Sequence, residues 1–304
     1  MMADRQSAIA ELVIVPFMDV ASATLLAYDV MIKLDVEVEH IWMRKWSFLT
    51  VVYIIQRYLP FLDGGSVLYY HFGNLTDHYC TLIFNLNAWS YVVGISLSQF
   101  ILTLRVWAVW NRSISVGIGF VIFFLACWIP SYVLLAQFSR LTFGPFPITY
   151  YPDFGCFFAS ALPLLPFWVC WLAYDTGTFV MILIPGLKAY HKGSRSGLLK
   201  TISQDGVAYY VIMFLFILIN VICTVVLPVE FRTTLMFSFA RITHSLGTSR
   251  IILHIRQAAW RRAYTHETSL SQIPFTQNGH EESSSAANSL IHDHFDVSEL
   301  STQL

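Results

Sequence analysis

The chain has 304 residues, of which 56% are hydrophobic and only 12% are charged, and its mean hydropathy is +0.59. Soluble globular domains carry about 25% charged residues, so this composition excludes a water-facing surface over most of the chain and indicates a membrane protein. The net charge of −1 also argues against a nucleic-acid partner, which would require a basic surface.

Seven segments are long and apolar enough to cross a bilayer, which requires about 20 mostly apolar residues in a helix. Helices are expected because lipid does not tolerate open sheet edges. The predicted fold class is therefore all-α, a bundle of seven transmembrane helices within residues 1–265. The predicted spans are Leu12–Ile32, Trp46–Leu68, Thr81–Arg105, Ser115–Gln137, Leu162–Leu187, Gly206–Leu227 and Thr233–Ile252.

Basic residues predict the orientation, because cytoplasmic connections carry an excess of lysine and arginine. Thirteen of the 18 lysines and arginines lie in or directly beside the first, third and fifth connections and the segment after the last span. We therefore expect the N-terminus outside and the C-terminus in the cytoplasm. The first span is expected to act as an uncleaved insertion signal. The expected location is the plasma membrane or an endomembrane, as a multi-pass integral protein.

The C-terminal part changes in composition after the last span. Residues 266–304 are rich in serine, threonine, asparagine and acidic residues, which predicts a disordered polar cytoplasmic tail. Just before it, Ile252, Ile255, Ala259 and Ala263 recur at helical spacing opposite three arginines. This pattern predicts either a helix lying on the inner membrane surface or a simple extension of the seventh helix.

Cysteines and sequons provide markers of topology. Cys80 and Cys156 both fall on the predicted outer side, where an oxidising environment favours a disulfide between them. Asn74 begins an Asn-Leu-Thr sequon on the same side and is a candidate glycosylation site. The sequon at Asn111 is predicted to be cytoplasmic, so it should remain unmodified.

Ionisable residues inside the spans are costly in lipid and usually find partners. We expect an ion pair between Asp19 and Arg57; the alternative is that Arg57 extends outward and Asp19 is hydrated or protonated. Asp175, Arg241 and His244 are expected to form an intramembrane polar cluster. That cluster would either line a ligand cavity or join helices by hydrogen bonds.

The charged stretch between the first two spans is expected to be the first cytoplasmic turn. Asp29 and Lys33 are four residues apart and are expected to pair on the last turn of the first helix. Glu37 is expected to meet Arg44 and Lys45 across the turn, or basic residues of neighbouring connections. As surface pairs, these would contribute little to stability.

Motifs for catalysis and cofactor binding are absent from the sequence. It contains no phosphate-binding glycine loop, no dinucleotide fingerprint and no zinc-protease motif. No catalytic residue, metal ligand or cofactor is predicted, and we do not expect an enzyme. A microbial-rhodopsin assignment fails because the seventh span has no lysine for a Schiff base.

The segment YDVMIKLDVEVEHIW, followed by QRYLP, resembles the N-terminal signature of a fungal multi-pass membrane family, known mainly from basidiomycetes. That family is named only as a domain of unknown function, number 6533. The signature covers about residues 21–62, and the segments LRVWAVWNRS, DGVAYY and SRIILHIR are also similar. The resemblance implies a membrane protein without an assigned activity. The signature positions include Tyr28, Asp29, Glu37, Trp42, Arg57 and Tyr58.

The overall topology is similar to that of seven-helix G-protein-coupled receptors. The similarity lies in the helix number, the outer N-terminus, the placement of Cys80 and Cys156, and Arg105 at the inner end of the third span. Leu104 stands before Arg105 where such receptors usually have an acidic residue, and the seventh span reads SLGTSR without an Asn-Pro pair. The resemblance therefore implies the topology and not the coupling mechanism.

Two main functional classes follow from these patterns. A receptor-like or sensor-like protein would take a small ligand from the outer face, near Asp175, and act on a cytoplasmic signalling partner. A transporter would instead require a continuous polar path, and the absence of internal repeats weighs against it. A structural or scaffold membrane protein is the remaining alternative. In each case the lipid bilayer is the first partner of the chain.

Overall fold

The computed structural model describes residues 2–44, 46–143, 149–151, 155–157, 165–191, 197–226 and 235–271. These residues form seven α-helices, one π-helical turn and one short β-hairpin, and each predicted span overlaps one of the α-helices. The elements are α1 (Met2–Glu37), the π-helical turn (Val38–Trp42), α2 (Phe48–Phe72), α3 (Asp77–Val109), α4 (Ile114–Phe143), β1 (Thr149–Tyr151), β2 (Gly155–Phe157), α5 (Leu165–His191), α6 (Gly197–Val226) and α7 (Leu235–Ser271).

The connection between α1 and α2 is much shorter than the sequence predicted. The residues expected to form a charged cytoplasmic turn are mostly helical, because α1 continues to Glu37 and the π-helical turn to Trp42. Ser47 then caps α2, and its side-chain oxygen accepts a 3.3 Å hydrogen bond from the backbone N–H of Thr50. The acidic residues of this stretch therefore lie on helices and not in a loop.

The helices pack in chain order into a closed ring. Each helix contacts the next one, and α7 returns to pack against α1 and α2. Helix α3 also contacts α5 and α7, so it occupies the middle of the bundle. An apolar core surrounds it, with Ile95, Trp128 and Trp168 in one cluster and Leu102 and Tyr210 in another.

The outside of the bundle is apolar, as expected for a protein in contact with lipid. Within the described residues, α3, α4 and Pro166–Leu187 of α5 are long and apolar enough to cross a membrane. On α4, Ile118, Leu125 and Ile129 are among the exposed large side chains, at spacings that place them on one face. These features support a membrane protein. Helices α2 and α7 differ from α3, α4 and α5, because they carry charged side chains along their length.

The structure at the end of α7 decides between the two alternatives that the sequence left open, a separate helix or an extension of the seventh helix. Residues 252–264 continue α7 without a break, so they extend the seventh helix and do not form a separate helix. The helix runs to Ser271, so the first six residues of the predicted disordered tail, 266–271, are helical. Residues 272–304 lie outside the described part of the chain.

The β-hairpin, which the sequence did not predict, precedes α5. Its strands pair antiparallel, with Tyr150 opposite Cys156. Cys156 forms a disulfide with Cys80 near the start of α3, with a Cα–Cα distance of 5.6 Å, as the sequence analysis expected. We call this side of the bundle the disulfide end, and the side with the π-helical turn the π-turn end.

Candidate functional site

Four charged side chains meet between α1, α2 and α7, and we call them the charge network: Asp29, Glu37, Arg57 and Arg250. Arg57 donates from Nη1 to Asp29 Oδ2 at 2.8 Å, and its Nε lies 3.4 Å from Glu37 Oε2. Arg250 donates from Nη2 and Nε to Asp29 Oδ1, at 2.7 and 2.9 Å. Two helices adjacent in sequence are thus joined to the last helix of the bundle.

Burial of the network is uneven. The side chains of Arg57 and Glu37 are fully buried and that of Asp29 is 2% exposed, whereas that of Arg250 is 49% exposed. Two carboxylates and two guanidinium groups balance in charge, which is the condition under which buried ions are tolerated. Only the Arg250 side of the network has access to the surroundings of the bundle.

Aromatic side chains complete the environment of Glu37. Tyr58 donates its hydroxyl to Glu37 Oε1 at 2.9 Å, and the indole N–H of Trp42 donates to the same oxygen at 3.4 Å. The rings of Trp42 and Tyr58 pack edge to face, 6.2 Å apart. Trp42 belongs to the π-helical turn, a local geometry frequently found at functional sites.

The structure corrects two predictions made from the sequence. Arg57 pairs with Asp29 and Glu37 and not with Asp19, which instead lies 2.9 Å from His71 Nε2. The reason is the length of α1, which places Asp29 and not Asp19 near the level of Arg57. Asp29 contacts Arg57 and Arg250 and not the expected Lys33, and Glu37 contacts Arg57 and not the expected Arg44. Lys45, the other expected partner of Glu37, lies outside the described residues.

Helix α7 extends the interactions of the π-turn end beyond the charge network. Arg256 donates to the backbone carbonyl of His40 at 3.1 Å and to the hydroxyl of Thr50 at 3.0 Å. The guanidinium of Arg44 lies 4.0 Å from the centre of the Trp260 ring, a cation–π contact. The π-helical turn and the start of α2 are therefore both attached to α7.

A second buried ion pair lies further along α2. Arg241 of α7 donates from Nε to Asp63 Oδ2 at 3.1 Å, and both side chains are almost completely buried. Ser90 of α3 donates to the other carboxylate oxygen of Asp63. Gly94 leaves room for Arg241, because a Cβ at that position would coincide with the guanidinium.

A small cavity adjoins this pair. It has a volume of about 10 Å³ and is lined by Asp19, Ser22, Asp63 and Arg241, among others. That volume is close to what one water molecule requires. Both Nη atoms of Arg241, one oxygen of Asp19 and the hydroxyl of Ser22 are buried without a partner among the described residues.

The expected cluster of Asp175, Arg241 and His244 is separated in the structure. Arg241 pairs with Asp63, while Asp175 accepts a hydrogen bond from the amide of Gln99. His244 is buried, and its Nδ1 has no hydrogen-bond partner in the described part of the chain. The sequence placed all three residues at similar depth, but depth alone does not determine which helix faces point at one another.

Three of the four residues of the charge network lie in a segment that matches a known protein family. Residues 17–62 match the family of unknown function DUF6533. This segment holds Asp29, Glu37 and Arg57, together with Trp42 and Tyr58, so five interacting residues of the site fall within the match. The chain matches none of the curated proteins. The match therefore supports a membrane protein of unknown function and assigns no chemistry to the site.

Sequence reasoning missed two members of these sites, Asp63 and Arg250. Asp63 lies inside the predicted second span, where an ionisable residue is a candidate for function by its position alone. Arg250 was counted only as a basic residue that indicates orientation. The available signal is its place two residues before the inner end of the predicted seventh span, within reach of the neighbouring helices.

Proposed function

We propose that the protein is a receptor-like or sensor-like bundle of seven transmembrane helices, with its N-terminus outside and its C-terminus in the cytoplasm. The observation that carries this proposal is the charge network, which joins α1, α2 and α7 at the π-turn end. The basic residues of the sequence concentrate at the same end. A ligand at the disulfide end would act by changing how α7 packs against α1 and α2.

The physical argument starts from the cost of burying ions. Buried ion pairs are often no more stabilising than apolar residues of the same volume, so their main contribution is to specify one arrangement of the helices. Here the half-exposed Arg250 can exchange Asp29 for water, while Arg57 keeps both carboxylates inside the bundle. We infer that this junction has a second state in which Arg250 is released from Asp29, which is what a conformational switch requires.

A transporter is the second candidate, and buried polar side chains on α3 favour it. Asn85, Asn87, Ser98, Gln99 and Thr103 are all buried on this central helix. The cavity beside Arg241 is about 10 Å³, and one near Arg105 is about 40 Å³. Neither of these two cavities among the described residues provides a path for a solute. Because the sequence also lacks the internal repeats that many transporters have, we favour the receptor-like proposal over transport.

The proposed topology is tested by glycosylation mapping. Asn74 and Asn111 both have exposed side chains and lie at opposite ends of the bundle. In a eukaryotic membrane expression system, a glycosidase-sensitive mass shift is expected that is lost in Asn74→Gln and retained in Asn111→Gln. Modification at Asn111 would reverse the orientation and would refute the proposed position of the charge network in the cytoplasmic half.

The proposed switch is tested by distance measurement in nanodiscs. Spin labels at Ile114, at the start of α4, and at Arg261, on α7, would be placed in a background without the free cysteines. Asp29→Asn releases Arg250, so a second, longer distance population is expected. Arg140→Gln, at the other end of α4, serves as the control. A single unchanged distance in Asp29→Asn would favour a rigid scaffold, and solute flux in proteoliposomes would favour the transporter.

A further inference from the structure

Asp175 is a buried carboxyl group with a single side-chain partner among the described residues. It lies near the middle of α5, is 5% exposed, and accepts a hydrogen bond from Nε2 of Gln99 on α3. In the described residues, the ion-pairing arginines contact other carboxylates: Arg57 and Arg250 contact Asp29, and Arg241 contacts Asp63. Asp175 therefore differs from the other buried acids of the bundle, which all have a cationic or imidazole partner.

The pair formed by Asp175 and Gln99 is also short of one hydrogen-bond donor. Oδ2 of Asp175 and Oε1 of Gln99 are both buried, and neither has a partner among the described residues. Both atoms are acceptors when the carboxyl is ionised. A proton on Oδ2 would supply a donor for Oε1 and would let the acid and the amide form two hydrogen bonds to each other.

Among the described residues, the surroundings of Asp175 offer no charge that would hold the ionised form. Its titratable neighbours are Tyr174 on the same helix and Tyr210 on α6, and Cys127 on α4 is a neighbour of Tyr174; all three are neutral when protonated. The rings of Phe123 and Phe124 pack on Tyr174. Arg105 of α3 is directed at the ring of Tyr210, 5.9 Å from its centre.

The charged groups of α7 are also directed elsewhere. Arg241 is paired with Asp63, and the charge acting on His244 is that of Arg241. An ionised carboxylate in such an apolar interior, without a cation, is so unfavourable that the group takes up a proton.

We propose that Asp175 is a proton-binding site, occupied at neutral pH, in which the neutral carboxylic acid forms a two-bond pair with the amide of Gln99. The proton comes from water and binds to Oδ2; no other bond is made or broken. The neutral acid joins α3 to α5 by hydrogen bonds. Loss of the proton would leave two acceptor oxygens facing each other and would weaken the contact between the two helices. The site is independent of the charge network and of the proposed receptor-like function.

Infrared spectroscopy tests the proposal directly. The purified full-length protein is measured at neutral pH in a detergent without ester groups, so that the carbonyl band of a protonated carboxylic acid is visible. We expect such a band in the wild type, a shift of the band in D₂O, and its loss in Asp175→Asn. A wild-type spectrum without the band, or a band that persists in Asp175→Asn, would overturn the proposal.

Thermal stability provides a second readout with a matched control. Asparagine is the neutral isostere of a protonated aspartate, so the melting temperature of Asp175→Asn should stay within about 2 °C of the wild type. The same change at Asp63 leaves Arg241 buried without its carboxylate and should lower the melting temperature by on the order of 10 °C. An Asp175→Asn variant that melts as low as Asp63→Asn, or fails to fold, would show that the carboxylate charge is required and would refute the proposal.

Discussion

Replacing Arg57 by methionine tests whether the charge network is held together by charge balance. The side chain of Arg57 is fully buried and contacts Asp29 at 2.8 Å and Glu37 at 3.4 Å. In Arg57→Met, Asp29 keeps Arg250, but Glu37 retains only the neutral donors Tyr58 and Trp42. One buried carboxylate is then left without a cation.

The magnitude follows from this single uncompensated charge. Removing one partner of a buried ion pair typically costs about 3–5 kcal/mol. The hydrogen bonds from Tyr58 and Trp42 remain, so we expect a loss near the lower limit, about 3 kcal/mol. At about 2–4 °C per kcal/mol this corresponds to a fall of about 6–12 °C in melting temperature. Adding Glu37→Gln removes the charge but keeps an acceptor for Tyr58, so it should restore at least about 2 kcal/mol.

The free cysteines of the chain provide the assay. Cys127, Cys170 and Cys223 are half-buried, and a thiol-reactive fluorophore reports their exposure as the protein is heated in detergent or nanodiscs. Arg140→Met is the control, because Arg140 is exposed at the end of α4 and its loss should shift the melting temperature by less than about 2 °C. The reasoning is refuted if Arg57→Met melts with the wild type, or if Glu37→Gln fails to raise the melting temperature of Arg57→Met.

Two further changes test the disulfide and the second ion pair. Reduction of the bond between Cys80 and Cys156 should destabilise the wild type by about 2–4 kcal/mol, measured by thermal melting of the tryptophan fluorescence, whereas reductant should have no effect on a variant in which both cysteines are serine. Gly94→Ala places a methyl group on the Arg241 guanidinium and should cost about 1–3 kcal/mol. Gly65→Ala is its control, because a Cβ at Gly65 would have no neighbour within 4 Å; equal melting temperatures for the two alanine variants would contradict this account.

The helices and the disulfide could be predicted from the sequence because they depend on local properties. An apolar segment of sufficient length forms a helix in lipid whatever its neighbours are, and two cysteines on one side of a membrane have few alternative partners. The ends of the helices were harder to predict from the sequence. The acidic residues after Ile32 have the composition of a loop, although Glu37 is stabilised on α1 by Arg57 of α2.

The pairing of charges could not be predicted because it depends on helix length and rotation. Asp19 lies 18 residues before the end of α1, about 27 Å along the helix, whereas Arg57 lies nine residues, about 14 Å, after the start of α2. Asp29 is eight residues from the end of α1, so it is the carboxylate closer in level to Arg57. Once α1 was predicted to end too early, the wrong carboxylate was assigned.

The contact between α7 and Asp29 has a consequence for how the molecule is made. Asp29 and Arg57 are separated by only 28 positions and are available to each other as soon as the ribosome has released the second helix. Arg250 is 221 positions away from Asp29 and is synthesised only after α3, α4, α5 and α6. Until then the network would contain two acids and one guanidinium, an excess of negative charge. If the bundle crosses the membrane as proposed, insertion of α7 would remove that excess, and Arg250 would be the last of the four charges to reach the network.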